Sequence, residues 1–199
     1  MKKVLRVLIL GFILISMGCT LLPWVKDGNN IYDWFTKPTE DAIYYYKSTY
    51  YNDNISLTSI SNYQFKFISV DENNDNITVL VNDDGTMGYI VADRDENLIF
   101  YGSDQFFSGY SDEEIYLEAP VVIDNSWPYK SETRKIASID TTVDIEAGKY
   151  SDVVKVKIID DDLNYTGYYY WSISRGLIYS RIDYENGSYK IIELINCSE

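Results

Sequence analysis

The sequence predicts an all-β fold built as an antiparallel meander. Three observations carry that expectation. Apolar and polar residues alternate with period two in short segments such as Tyr63-Gln64-Phe65-Lys66-Phe67, and period two is the repeat of a strand. Clusters of Gly, Asp and Asn punctuate these segments at the spacing of hairpins. After the N-terminal apolar run no segment shows a helical stripe, and a short turn at Asp112 to Leu117 is the single helical candidate.

Taken in chain order, the first element stands outside the sheet. Lys2, Lys3 and Arg6 precede the apolar run Val7 to Ile15, and small residues then lead to Cys19. These are the three parts of a secretory signal, and the run is too short to span a bilayer, which takes about 20 apolar residues. Thr20 to Asn30, with Pro23, Gly28, Asn29 and Asn30, has no period and reads as a tether. The expected organisation is a signal peptide over 1–18, a tether over 19–30 and a single β-domain over 31–199.

Within the domain, Tyr63 to Phe67 and Ile77 to Val81 read as strands around the turn-rich loop Asp71 to Asn76. Asn82-Asp83-Asp84-Gly85 marks a hairpin into Met87 to Ala92, because Gly after Asp supplies a positive φ. Asp93 to Asn97 turns the chain into Leu98 to Tyr101, and Gly102 to Glu114 is polar. Pro120 and Trp127-Pro128 are expected to break regular structure. Strands resume at Arg134 to Ile145, Val153 to Ile159, Tyr165 to Ile173, Leu177 to Ile182 and Ser188 to Ile195. The turns between them are Glu146-Ala147-Gly148, Asp160-Asp161-Asp162, Arg175-Gly176 and Glu185-Asn186-Gly187.

Ile15-Ser16-Met17-Gly18-Cys19 resembles a bacterial lipobox, which implies a diacylglyceryl group on Cys19 and cleavage before it. Two long acyl chains suffice for stable anchoring, since each buried methylene contributes about 0.8 kcal/mol. An ordinary signal peptide with an incidental cysteine is the alternative. Cys197 is the one other cysteine, and a Cys19 to Cys197 disulfide would be permitted in an oxidising compartment.

A set of C-terminal residues resembles a broad family of poorly characterised bacterial exported proteins, many of them lipoproteins. The set is Pro120, Ser126-Trp127, Thr142-Val143, Ala147-Gly148-Lys149-Tyr150, Asp152-Val153-Val154, Tyr170-Trp171 and Gly176-Leu177-Ile178. Tyr32-Asp33-Trp34-Phe35 followed by Tyr44-Tyr45-Tyr46 looks like that family's N-terminal motif. The resemblance implies a strongly curved antiparallel sheet or half-barrel, distantly similar to lipoprotein-carrier half-barrels, and transfers no catalytic residues. From the residues themselves, Trp127 is expected to plug the core and Gly176 to sit where the sheet bends or reverses.

The formal charge of -14 argues against nucleic acid and against adhesion to anionic head groups through basic patches. The expected partner is a membrane, held through lipid on Cys19. His is absent, so there is no base of neutral pKa and no zinc set; no metal or other cofactor is called for. Asp71, Asn73 and Asp75, and again Asp93, Asp95 and Asn97, have the first spacing of a calcium loop, but lack its later Gly and Glu. Turn chemistry accounts for them.

The aromatic run Tyr168-Tyr169-Tyr170-Trp171 is the candidate ligand-binding feature. In a strand, Tyr168 and Tyr170 line one face, Tyr169 and Trp171 the other. One pair packs the core; the other is either half-exposed Tyr of the kind strands generally carry or a platform for a glycan, lipid or protein. The expected function is a non-enzymatic binding or scaffolding lipoprotein of the cell envelope. The alternative is a half-barrel carrier of a hydrophobic ligand, and a glycoside hydrolase using two carboxylates is third.

Overall fold

The computed structural model describes residues 39–70, 77–81, 86–92, 97–101 and 113–198. Cys19, the tether, the Tyr32 to Phe35 motif and the loops at 71–76, 82–85 and 93–96 lie outside the described residues.

Twelve strands form one sheet: β1 Ile43–Tyr51, β2 Leu57–Val70, β3 Ile77–Val81, β4 Thr86–Ala92, β5 Leu98–Tyr101, β6 Glu113–Leu117, β7 Ser126–Tyr129, β8 Glu132–Ile145, β9 Gly148–Asp160, β10 Tyr165–Ser172, β11 Gly176–Tyr184 and β12 Tyr189–Ser198. Every ladder is antiparallel. Among the described residues there is no helix, as the alternation requires.

The order across the sheet is β6-β5-β4-β3-β2-β1-β12-β11-β10-β9-β8-β7. The chain begins in the middle, steps outward to β6 and restarts at the opposite edge with β7. A flat sheet of this width, with strands about 4.8 Å apart, would hold its edges about 50 Å apart. The connection 118–125 reaches only about 30 Å at roughly 3.3–3.6 Å per residue. The sheet therefore curls until β6 and β7 meet. Side chains bridge the seam: Trp127 Nε1 and Arg134 Nη1 both donate to the Ile115 carbonyl at 3.1 Å.

The curl encloses one core on the inner face. Trp127 is 1% exposed and plugs it, as expected. Tyr116 of β6 lies 4.7 Å from Trp171 of β10, so strands from opposite halves of the sheet fill the space between them with rings. In β1, Tyr44 and Tyr46 point inward, and the Tyr46 hydroxyl donates to the Leu177 carbonyl at 2.8 Å.

Two expectations are corrected. The helical candidate at Asp112 to Leu117 does not hold over its described part: Glu113–Leu117 is β6, paired with β5, because Leu117 and Ile115 are drawn into the core by the curl. Trp127-Pro128 does not end regular structure either. It forms β7, with Pro128 opposite Thr133, at the sheet edge where a missing N–H costs no ladder bond.

The β8–β9 hairpin runs past the end of β10, whose pairing with β9 stops at Trp171 and Val154. Its turn at Glu146-Ala147 ends in Gly148 with φ 137°. From there it reaches across to β1 and β12: the Glu146 amide donates to Glu193 Oε1 at 2.9 Å, and Lys47 Nζ meets Glu146 Oε2 at 2.7 Å. Ile139, Val143, Ile145 and Tyr150 pack this strap against the core. Gly176, φ 69°, reverses the chain between β10 and β11.

Candidate functional site

The aromatic run falls on β10 and divides between its faces as period two requires. Trp171, 3% exposed, belongs to the core, and its indole N–H has no hydrogen-bond partner among the described residues. Tyr169 also faces inward, 5.4 Å from the Arg134 guanidinium. Tyr168 and Tyr170 lie on the other face with their rings 6.4 Å apart. The Lys155 ammonium stands 3.9 Å from one ring and 5.4 Å from the other, and Tyr179 meets Tyr170 edge-on at 5.4 Å. Further pairs follow on other strands: Arg181 over Tyr189 at 4.5 Å, and Tyr189 stacked on Tyr51 at 4.6 Å. The four β10 aromatics are therefore not one platform: Trp171 lies in the core, Tyr169 and Tyr170 are partly buried against it, and Tyr168 is half-buried over Lys155.

A buried polar cluster escaped the sequence reading. Glu132, Arg134 and Ile136 share the inner side of β8, and Arg134 is 1% exposed. Its Nε and Nη2 each lie 2.7 Å from Glu132 Oε2, and its guanidinium covers the Tyr129 ring at 4.4 Å. Tyr165 donates a short hydrogen bond to the other Glu132 oxygen. Burial, then that hydrogen bond, raises the Tyr165 phenol, which stays a neutral donor. The missed signal was alternation itself: an Arg in phase with Ile136 is a buried Arg.

Asp160 sits opposite Glu132 and Tyr165 in the ladders and is 2% exposed. It accepts from Ser131 Oγ at 2.7 Å and from the amides of Asp162 and Leu163 at 2.9 and 2.7 Å. Burial pushes its carboxyl up. The bonds from Leu163, Ser131, Asp162 and Tyr165 outweigh that and hold it below its ordinary value, so it caps the β9–β10 turn as a carboxylate.

Three turns converge at this end of the sheet, opposite the end where the chain enters β1. The Glu185 amide donates to the Asn164 carbonyl at 3.0 Å, and the Tyr50 hydroxyl donates to Ser188 Oγ at 2.9 Å. Two open, adjoining clefts of about 320 and 380 Å³ lie between the turns. Asn164, Tyr184 and Glu185 line both. The Tyr184 ring stands 6.3 Å from Tyr50 on one side and 6.0 Å from Tyr165 on the other. Among the described residues no cluster of acidic or Cys side chains has metal-holding geometry.

No family model matches the sequence, and no curated protein matches it. Among solved structures, a Bacteroides fragilis protein of YmcC-like fold, described as exported, is 13% identical with a TM-score of 0.55, covering 83% of this chain and 99% of that one. A Parabacteroides distasonis protein described as a lipoprotein is 14% identical at a TM-score of 0.41, over 83% of this chain and 98% of that one. A LolA superfamily protein from Nitrosomonas europaea is 11% identical at 0.32, over 84% and 88%. The chain thus shares the curved antiparallel fold of the Bacteroides protein.

Proposed function

We propose that the chain is an exported lipoprotein whose β-domain binds or scaffolds at the cell envelope without catalysing a reaction. In this reading residues 1–18 are removed, Cys19 carries the lipid, 19–30 form the tether and 31–199 the domain. The signal pattern and lipobox support export and anchoring, and the fold shared with a protein described as exported agrees with them. The absence of His leaves no general base of neutral pKa.

One observation favours binding or scaffolding over carriage of a hydrophobic ligand. The inner face, where a carrier would hold its cargo, is occupied by the domain's own side chains: Tyr116 against Trp171, Trp127 in the core, and Arg134 reaching Ile115. Partner contact then belongs outside the filled core, and Tyr168, half-buried beside Lys155, is one place for it.

The anchor is tested by metabolic labelling with radioactive palmitate. The wild type takes up label and Cys19→Ala does not; equal labelling, or none, removes the anchor. Mass spectrometry of the protein extracted from its membrane tests the alternative, since a stoichiometric bound lipid beyond the Cys19 modification would favour the carrier.

A further inference from the structure

We propose that the paired clefts at the turn end of the sheet form a binding site for a neutral oligosaccharide, with Tyr184 as its stacking surface. The inference rests on the binding reading and goes beyond it in place and ligand class.

The site is built before any ligand arrives. Asp160 caps the 161–164 turn, Asn164 ties it to the 185–188 turn, and Ser188 ties that turn to Tyr50 on β1. The clefts meet at Tyr184, so one ring borders both, with Tyr50 and Tyr165 flanking it at about ring spacing. Their interplanar angles of 58° and 71° aim the ring faces in different directions. A chain of sugar rings offers successive apolar C–H faces, whereas a single flat ligand meets only one of these surfaces.

The polar lining matches hydroxyl groups. The side chains of Asp161, Asn164, Thr166 and Glu185 line the clefts and make no hydrogen bond or ion pair among the described residues. They supply carboxylate acceptors, an amide donor and a hydroxyl, and a sugar hydroxyl both donates and accepts. An amine ligand only donates, so it would leave the amide N–H groups of Asn164 unserved. No Lys or Arg lines either cleft, which disfavours phosphate, sulfate and uronate ligands on a chain of charge -14. An acyl chain would strip water from carboxylates without pairing them.

Titration calorimetry of the full-length chain in detergent micelles tests this. Maltohexaose, cellohexaose, xylohexaose and chitohexaose serve as neutral probes, spermine as the cationic one and polygalacturonate as the anionic one. At least one neutral hexasaccharide is expected to bind; Tyr184→Ala weakens it about tenfold or more, while Tyr184→Phe, which keeps the ring, changes it by less than about threefold. Asp161→Asn with Glu185→Gln weakens binding of the same probe, and Thr142→Ala, exposed on β8 away from both clefts, leaves it unchanged. Thermal melts of each variant confirm folding, with the Phe variant holding the test if the Ala variant unfolds. No binding of any neutral probe at millimolar concentration overturns the proposal, as does tighter binding of spermine or polygalacturonate. Binding lost in Tyr168→Ala but kept in Tyr184→Ala also overturns the cleft, while the broader binding reading stands.

Discussion

Arg134 and Glu132, two residues apart on the same side of β8, form a buried two-point ion pair with both guanidinium contacts at 2.7 Å. Glu132 is 11% exposed and Arg134 1%, so neither charge has water to fall back on. The same guanidinium holds the Ile115 carbonyl across the seam, which makes the pair a clasp between the two sheet edges.

Removing one partner strands the other charge. Arg134→Met is expected to lower the unfolding free energy by about 3–5 kcal/mol. Glu132→Leu combined with Arg134→Met should cost less than the two single changes added, because no uncompensated charge remains. Urea titrations of the three variants check this.

Asp160 makes stability depend on acid. Its folded pKa is lowered, so its contribution is complete above the unfolded value of about 3.9 and disappears as pH falls through the folded value. Between about pH 5 and 2, Asp160→Asn should flatten the fall in stability while lowering the plateau at neutral pH. Thermal melts across that range read both effects; parallel curves for the two proteins would refute the assignment.

The two faces of β10 should respond differently to truncation. Trp171→Ala opens the core against Tyr116 and is expected to cost about 3–5 kcal/mol. Tyr168→Ala removes a half-buried ring over Lys155 and should cost about 1 kcal/mol or less. Equal losses in denaturant titrations would contradict the placement of the two faces.

Gly167 permits a close strand approach. A Cβ there would lie 2.3 Å from the Arg181 carbonyl oxygen, and backbone cannot swing away as a side chain can. Gly167→Ala is expected to destabilise by more than about 2 kcal/mol, read as a lowered melting temperature.

Strand existence was largely legible in the sequence because period two is a local property. Tyr168 to Trp171 divided between faces as alternation required. Trp127 proved to be the core plug that a lone large aromatic suggested. Errors arose where position in the sheet overrode residue type: Pro128 is tolerated because β7 is an edge, and the charged start of β6 is strand because β5 pairs with it. The Arg134 cluster needed more than local pattern. Glu132 is near in sequence, but Ile115 and Tyr169 reach Arg134, and Tyr165 reaches Glu132, only through ladder order and the curl. The turn-end clefts were equally hidden, since their residues come from two turns, 161–164 and 185–188, their flanking strands, and Tyr50 on the distant β1.

The β1–β12 ladder pairs Ile43 with Ser198, whereas each other ladder joins strands adjacent in sequence. Folding must therefore close a loop of nearly the whole domain to finish the sheet, a step whose entropy no hairpin repays in advance. Fusing those two strand ends and opening the chain between β6 and β7 would yield a circular permutant in which every strand pairs only with its immediate successor, with the same architecture and a much lower contact order.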